Sequence, residues 1–249
     1  CKFCQNWQIS QARPEDTDFI ELPPAEVIRQ AARTGCRSVC YTYTEPTVFY
    51  EYMLDTAALS HGYGIKNTAH TCGYIKEKPL RELSKHLDAA DVDLKAFTED
   101  FYGRICGGRL KPVLDAIVTL KEEGVWLELT NLVIPTLNDN MQEIRQMCKW
   151  IVKNAGPDVP LHLSRFFPYY KLKDLPPTPV TTLKEARATA MDAGLRYVYI
   201  GNLQGEAENT YCHNCKKPVI ERMGYFVARN RIKNGRCVFC GTSIPGVWA

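Results

Sequence analysis

The sequence predicts an α/β fold: an incomplete parallel β/α barrel over residues 1–205, with a small zinc-ribbon-like appendage over residues 206–249. Two observations carry this. First, short runs rich in β-branched and aromatic residues alternate with amphipathic stretches at helical spacing from Pro23 to Gly201. Consecutive strands must then be joined by crossovers, and the sheet must be mostly parallel. Second, beyond that alternation the chain carries two Cys-x2-Cys knuckles. About six strands are visible. No glycine-rich phosphate turn follows the first of them, which weighs against a doubly wound open sheet.

Taken in order, Gln8 to Leu22 has no clear period and reads as a loop. Pro23-Pro24 starts a helix with Val27, Ile28, Ala31 and Ala32 on one face and Gly35 as its cap. A strand over Ser38 to Thr44 is broken by Glu45-Pro46, and Val48, Phe49, Tyr52, Met53 and Ala57 resume a helical stripe. The strand Ile65 to Thr71 precedes Cys72-Gly73, then a helix from about Pro79 to Leu87 and the strand Ala90 to Leu94. Val113, Ile117 and Leu120 mark a helix ended by Gly124, and Val125 to Ile134 is a long apolar strand. Ile144, Met147, Cys148 and Ile151 stripe the next helix behind a polar Asn138-Asp139 start. Leu161 to Phe166 is a strand, followed by a proline-rich loop through Pro179. Thr182 and Glu185, at capping-box spacing, open a helix to Ala193, and the strand Tyr197 to Ile200 stops at Gly201.

With 45% hydrophobic and 24% charged residues the composition is that of a water-soluble globular protein. No apolar run reaches membrane-spanning length and no signal peptide is visible, so no membrane partner is expected. Of the 11 cysteines, six fall into three Cys-x2-Cys pairs, while Cys36, Cys40, Cys72, Cys106 and Cys148 are scattered. That pattern suits metal sites in a reducing cytoplasm better than a disulfide framework. The lone cysteines are expected to be small buried apolar residues. The formal charge of +3 conceals an asymmetry, because from Thr210 onward seven Lys or Arg stand against one acid.

In a β/α barrel the working residues sit at the C-terminal ends of strands. Polar residues interrupt the apolar strand ends here as Thr44-Glu45, His70-Thr71, Asp93 with Lys95, Asn131 and Arg165. Each has a plainer reading. Glu45 would also cap a helix at Pro46, His70 would serve as a satisfied core histidine, Asp93 and Lys95 would pair with each other, and Arg165 would be a surface residue. Against that, the guanidinium fork of Arg165 suits a carboxylate ligand.

Cys1 and Cys4, two residues apart, can present two thiolates to one metal ion or iron–sulfur cluster, serve as half a zinc site, or be plain reduced thiols. The chain opens on cysteine, and a third ligand is expected upstream of residue 1. Cys212-x2-Cys215 and Cys237-x2-Cys240, with strand-like Pro218 to Ile220 and Tyr225 to Val227 between them, read as a zinc ribbon. Rubredoxin-like iron or an auxiliary cluster is the alternative. His213, inside a knuckle, reads as a bystander because four thiolates already complete a tetrahedron.

Enzymes that cleave S-adenosylmethionine hold a 4Fe-4S cluster with Cys-x3-Cys-x2-Cys, and Cys1 and Cys4 resemble its second and third cysteines. Three thiolates leave one iron open to chelate the amino and carboxylate groups of the methionine moiety. Further blocks extend the resemblance over nearly the whole chain. Cys4-Gln5-Asn6-Trp7, Tyr41-Thr42-Tyr43-Thr44-Glu45-Pro46-Thr47, Asp91-Val92-Asp93-Leu94-Lys95-Ala96-Phe97, Cys106-Gly107-Gly108-Arg109-Leu110, Ser164-Arg165-Phe166-Phe167-Pro168, Tyr199-Ile200-Gly201-Asn202 and Ile244-Pro245-Gly246-Val247-Trp248 are similar to radical SAM proteins of the AmmeMemoRadiSam system. That group is related to the activases of glycyl-radical enzymes such as pyruvate formate-lyase. The resemblance implies that Tyr43, Thr44 and Glu45 stand where the family meets the methionine amino group. It also implies that His70 and Thr71 lie in a segment touching the cofactor or a nearby cation, and that Asp93 and Lys95 match an Asp-Leu-Lys segment. His70 replaces an acid and Cys72 an amide of the activases, a departure from their pattern that bears on both the cation site and any carboxylate contact to the ribose.

Two functions follow as expectations. The first is a radical enzyme: its cluster and S-adenosylmethionine generate a 5′-deoxyadenosyl radical that abstracts hydrogen from an unnamed substrate, a protein glycine by similarity to the activases. Its partners would be an electron-donor protein, a protein substrate and, by resemblance, Memo-type and AMMECR-type proteins, with nucleic acid not among them. The second is a metal-stabilised binding protein whose basic ribbon, with Tyr225 and Phe226 free to stack, docks on RNA or an acidic partner.

Overall fold

The computed structural model describes residues 1–205 and 207–248. Strand and helix alternate as expected. The elements are α1 (Trp7–Ser10), α2 (Pro24–Arg33), β1 (Ser38–Tyr41), α3 (Tyr50–Ser60), β2 (Lys66–Thr71), α4 (Glu77–Ser84), β3 (Ala89–Asp93), α5 (Glu99–Phe101), α6 (Leu110–Glu122), β4 (Trp126–Val133), α7 (Met141–Asn154), β5 (Leu161–Arg165), α8 (Val180–Asp192) and β6 (Val198–Gly201). The tail adds β7 (Thr210–Tyr211), β8 (Pro218–Met223), β9 (Phe226–Asn230), β10 (Ile232–Lys233) and β11 (Arg236–Cys237). A six-stranded sheet runs in the order β1-β2-β3-β4-β5-β6. Parallel registers pair Tyr41 with Ala69, His70 with Asp91, Asn131 with Leu163 and Leu163 with Ile200.

The chain packs as two compact units. One comprises Cys1–Asp93, Ile105–Leu127 and Tyr169–Lys173; the other comprises Leu94–Arg104, Glu128–Pro168 and Asp174–Ala249. In the first, α2 starts on Pro24, which lacks the N–H a first turn could not use, and ends at Gly35 in the left-handed region (φ 70°). It buries Ile28 and Ala31 against Ile65 and Val39. Tyr41, Met53, Ala57 and Leu83 form the neighbouring cluster. In the second, α7 buries Ile144, Met147, Cys148 and Ile151, three and four residues apart on one face. Leu129, Asn131 and Val133 alternate inward along β4.

Several local expectations are corrected. The segment after Trp7 is not all loop, since α1 and a 3-10 turn over Pro14–Asp16 lie in it. The first strand ends at Tyr41, before Thr44. Helix α8 begins at Val180, because Pro179 supplies the extended N-cap backbone; Thr182 therefore lies inside the helix and caps nothing. Asn140, not Asn138 or Asp139, caps α7 through hydrogen bonds from the backbone N–H groups of Gln142 and Glu143. Of the lone cysteines only Cys148 is buried, and its thiol is pushed up to about 12 by that burial. Cys36 and Cys40 are exposed and Cys72 and Cys106 half-buried; β1, at the edge of the sheet, leaves Cys40 facing solvent.

The tail holds a three-stranded antiparallel sheet, β7-β8-β9, and the hairpin β10-β11. Its core is Cys212, Val219, Cys237 and Ile244, with Ile232 and Trp248 against them. So small a cluster needs a crosslink to hold it.

Candidate cofactor and metal sites

In the first unit, the Cys1 to Cys4 turn is closed by the Cys4 N–H on the Cys1 carbonyl (3.2 Å). Lys2 anchors it twice, donating its N–H to the Ile105 carbonyl (2.9 Å) and accepting at its own carbonyl from the Lys171 N–H (3.0 Å). Phe3 is buried between the two cysteines, Trp7 stacks on Tyr170, and Gln8 donates to the Tyr169 hydroxyl (2.8 Å). Cys1 is exposed, and the half-buried Cys4 thiol lies 3.5 Å from the Ser10 hydroxyl. Backbone contacts to distant segments thus hold two thiols on one turn, a donor set that fits two of the thiolate ligands of an iron–sulfur cluster.

Glu45 follows β1, and its carboxylate is already engaged. It accepts from the Thr71 hydroxyl (2.6 Å), the Cys72 N–H (2.7 Å) and the Thr47 N–H (3.3 Å), the last capping the 3-10 turn at Pro46. The helix-capping reading is therefore correct as far as it goes, and Thr71, at the end of β2, acts as a holder of Glu45. Gly73 completes this turn: its φ is 66°, and a Cβ there would lie 2.9 Å from Val92 Cγ1. Tyr43 and Thr44 are exposed.

His70 is satisfied at both ring nitrogens, as the plainer reading had it, although its side chain is only half-buried. On β2 it lies opposite Asp91 of β3, and its Nδ1 is 2.9 Å from Asp91 Oδ2 while its Nε2 is 3.3 Å from Asp93 Oδ2. Hydrogen bonds from both carboxylates, Asp91 first, raise the imidazole to about 10, against the opposing effect of burial. The His70 imidazole therefore carries its proton well above the pH at which an ordinary imidazole loses it. Asp93 thus meets His70 of the neighbouring strand, a contact that the sequence reading did not include.

In the second unit, the N–H of Lys95 donates to the Tyr102 hydroxyl (3.1 Å) and its carbonyl accepts from Asn138 Nδ2 (2.7 Å). The buried Asn138 also donates to the Leu132 carbonyl and accepts from the Ile134 N–H. Asn131 Nδ2 donates to the Leu94 carbonyl (2.7 Å), and its buried Oδ1 has no hydrogen-bond partner among the described residues. Arg165 donates Nε to the Thr178 carbonyl (2.8 Å) and lies over the Phe167 ring at 5.1 Å. Its two terminal nitrogens make no hydrogen bond with the described residues, which leaves a fork suited to a carboxylate.

In the tail, the sulfurs of Cys212, Cys215, Cys237 and Cys240 all lie within 4.8 Å of one another. The Cys212–Cys240 and Cys215–Cys237 separations are 3.6 and 3.8 Å. Four sulfurs about 2.3 Å from one tetrahedral ion would be about 3.8 Å apart, so the set is of the size a single metal ion needs. Hydrogen bonding by the Thr242 side chain and backbone holds the Cys240 thiol down at about 5. A bond from the Lys217 N–H lowers Cys215, but burial and the three neighbouring thiols carry it up to about 11. His213 is turned away, its Nδ1 2.9 Å from the Tyr197 hydroxyl of the second unit.

Sequence reasoning missed the role of Asp91 although a signal was present. Residues two apart on a strand share a face, so Asp91 and Asp93 had to point the same way. Asn138 and Thr178 carried no such signal, since each acts on backbone groups brought close only by the fold.

A parallel α/β protein with polar strand ends, an N-terminal thiol pair and a four-thiol appendage is the class defined so far. The chain belongs to the Radical SAM superfamily, which matches residues 1–151. It is 43% identical over 247 residues to an uncharacterized protein of Methanocaldococcus jannaschii, covering 98% of this chain and 73% of that one. It is 24% identical over 163 residues to the pyruvate formate-lyase-activating enzyme of Clostridium pasteurianum, covering 62% of this chain and 65% of the relative. In fold it is similar to Streptococcus suis SuiB bound to S-adenosylmethionine, with a TM-score of 0.62, 16% identity and coverage of 81% of this chain and 47% of that one.

Proposed function

We propose that the chain is a radical SAM enzyme of the AmmeMemoRadiSam group, related to glycyl-radical activases and working in the cytoplasm. When bound, its 4Fe-4S cluster supplies reductive cleavage of S-adenosylmethionine to a 5′-deoxyadenosyl radical that abstracts hydrogen from the substrate. A protein glycine is the first substrate class to test. The observation that carries this reading is the anchored Cys1–Cys4 turn within the residues that match the superfamily.

Cys1 and Cys4 would bind two cluster irons, and a residue preceding Cys1 would supply the third thiolate. Glu45, held by Thr71 and the Cys72 N–H, keeps a fixed carboxylate for the methionine ammonium. The open fork of Arg165 would receive the methionine carboxylate. Tyr43, Thr44, His70, Asp93 and Lys95 complete the proposed cofactor contacts. Zinc is the proposed tail metal, completing a partial barrel at 1–205 and a ribbon at 206–249. An electron-donor protein and Memo-type and AMMECR-type proteins are the proposed partners.

The test is anaerobic reconstitution of the chain with and without its upstream residues. Iron and sulfide content, the electron paramagnetic resonance of the reduced cluster, and its shift on adding S-adenosylmethionine are read before any turnover. Four irons per chain and a S-adenosylmethionine-dependent shift are expected only in the longer form. A longer form that takes up no cluster defeats the proposal.

A further inference from the structure

We propose that the C-terminal tail binds single-stranded nucleic acid. Bases would stack on the β8-β9 hairpin, and phosphates would follow the ribbon sheet to a cationic cleft at its β7 edge. The proposal goes beyond the radical reading and does not depend on it.

The hairpin tip is the first observation. Tyr225 is fully exposed (108% relative accessibility), beside Phe226 at 63% and Met223 at 68%, and every residue of β9 is exposed. Four neighbouring apolar side chains from Met223 to Val227 face water at one turn, a concentration that marks a contact site. The setting is basic. Between Pro218 and Cys237 there are Arg222, Arg229, Arg231, Lys233 and Arg236 against one acid, Glu221, which is shared by Arg231 (2.9 Å) and Arg229 (3.8 Å). Lys217 and Arg231 also lie over the exposed ring of Phe239, at 4.9 and 5.8 Å.

The cleft is the second observation. A cavity of about 530 Å³ is lined by Arg187, Arg196, Lys216, Tyr197 and Tyr211 among others, with no carboxylate among the described lining residues. That volume suits a nucleotide-sized ligand. Arg187 spends only its Nε, on the Val198 carbonyl, so its terminal nitrogens still point to no described acceptor. Thr210 and Tyr211 of β7 line the cleft, and the order β7-β8-β9 puts the exposed strand two ladder spacings away, about 10 Å. One flexible polyanion can span both.

The chemistry favours nucleic acid over an acidic protein. Exposed rings beside arginines stack on any base, whereas an acidic peptide would use the cations and leave the rings idle. Even with a divalent ion held by four thiolates the tail keeps a net positive charge.

The test is fluorescence anisotropy of the full, metal-loaded chain with labelled oligouridylate of about 20 nucleotides. Oligothymidylate, an RNA duplex and a polyglutamate peptide are the other arms. Binding that falls steeply with salt, and is tighter for single strands than for duplex, is expected; the uridylate and thymidylate arms then tell RNA from DNA. Tyr225→Ala with Phe226→Ala should weaken binding at least about fivefold at unchanged salt slope. Arg229→Ala with Lys233→Ala should flatten that slope by about one to two. Unchanged metal content shows that both variants keep the tail. The proposal is overturned by no single-strand binding at low salt, by full affinity in the aromatic variant, by equal duplex binding, or by displacement with polyglutamate at lower concentration than with oligonucleotide.

Discussion

His70 between Asp91 and Asp93 gives the first unit a charge that responds to pH. Its folded value, about 10, lies above the ordinary imidazole value of 6.5. The stability that the clamp contributes is therefore complete below about pH 6.5 and is lost as pH rises through about 10. Urea unfolding followed between those limits should show a decline in the wild type that His70→Gln lacks. A flat wild-type profile would mean that the imidazole is not held. Asp93→Asn removes one of the two carboxylates, so the imidazole resonance should titrate closer to 6.5. On the proposed function the same substitution weakens S-adenosylmethionine binding to the cluster-loaded protein by about 1 to 3 kcal/mol. An unchanged affinity alongside a shifted His70 would make the trio purely structural.

At the scale of elements, strand ends are tied by side chains in addition to ladder bonds. Asn138 joins the carbonyls of Lys95 and Leu132 to the N–H of Ile134, all within the second unit. Thr178 likewise donates to the Val133 carbonyl and accepts from the Phe166 N–H. Asn138→Ala strands the N–H of fully buried Ile134, and the expected cost in urea denaturation is about 1 to 3 kcal/mol. Asn154→Ala, which removes one exposed bond to the Trp150 carbonyl, should stay within about 0.5 kcal/mol and serves as the comparison. Equal costs would show that Asn138 carries no special load. The spacing of apolar residues marked these strands and helices well, but α8 began earlier than its capping-box pattern, because Pro179 fixes the entry geometry.

For the molecule as a whole, the tail stands on four thiolates and a small core. Cys240→Ala should release about one metal ion per chain. Hydrogen exchange should then lose protection over residues 210–248, while β4 and β5 keep theirs. The bonds from Tyr197, just before β6, to His213 and from Tyr199 of β6 to Thr210 connect this part of the sheet to the tail inside one packed unit. If Cys240→Ala also strips protection from β4 and β5, tail and sheet unfold together and the proposed boundary near residue 205 fails.

Local chemistry determined what could be read without coordinates. Periodicity set the order of strands and helices, crossover connections made the sheet parallel, and the knuckle spacing marked the four-thiol site before its sulfurs were seen within 4.8 Å. Each of these depends on residues near one another in sequence, or on types that few other environments select. Tertiary structure alone decided which partners the polar residues took. Glu45 meets Thr71 across 26 positions, His70 meets Asp91 across 21, and Thr178 meets Val133 across 45. Such pairings depend on sheet register and loop path, and a hydrogen bond leaves no period in the chain for a reader to find.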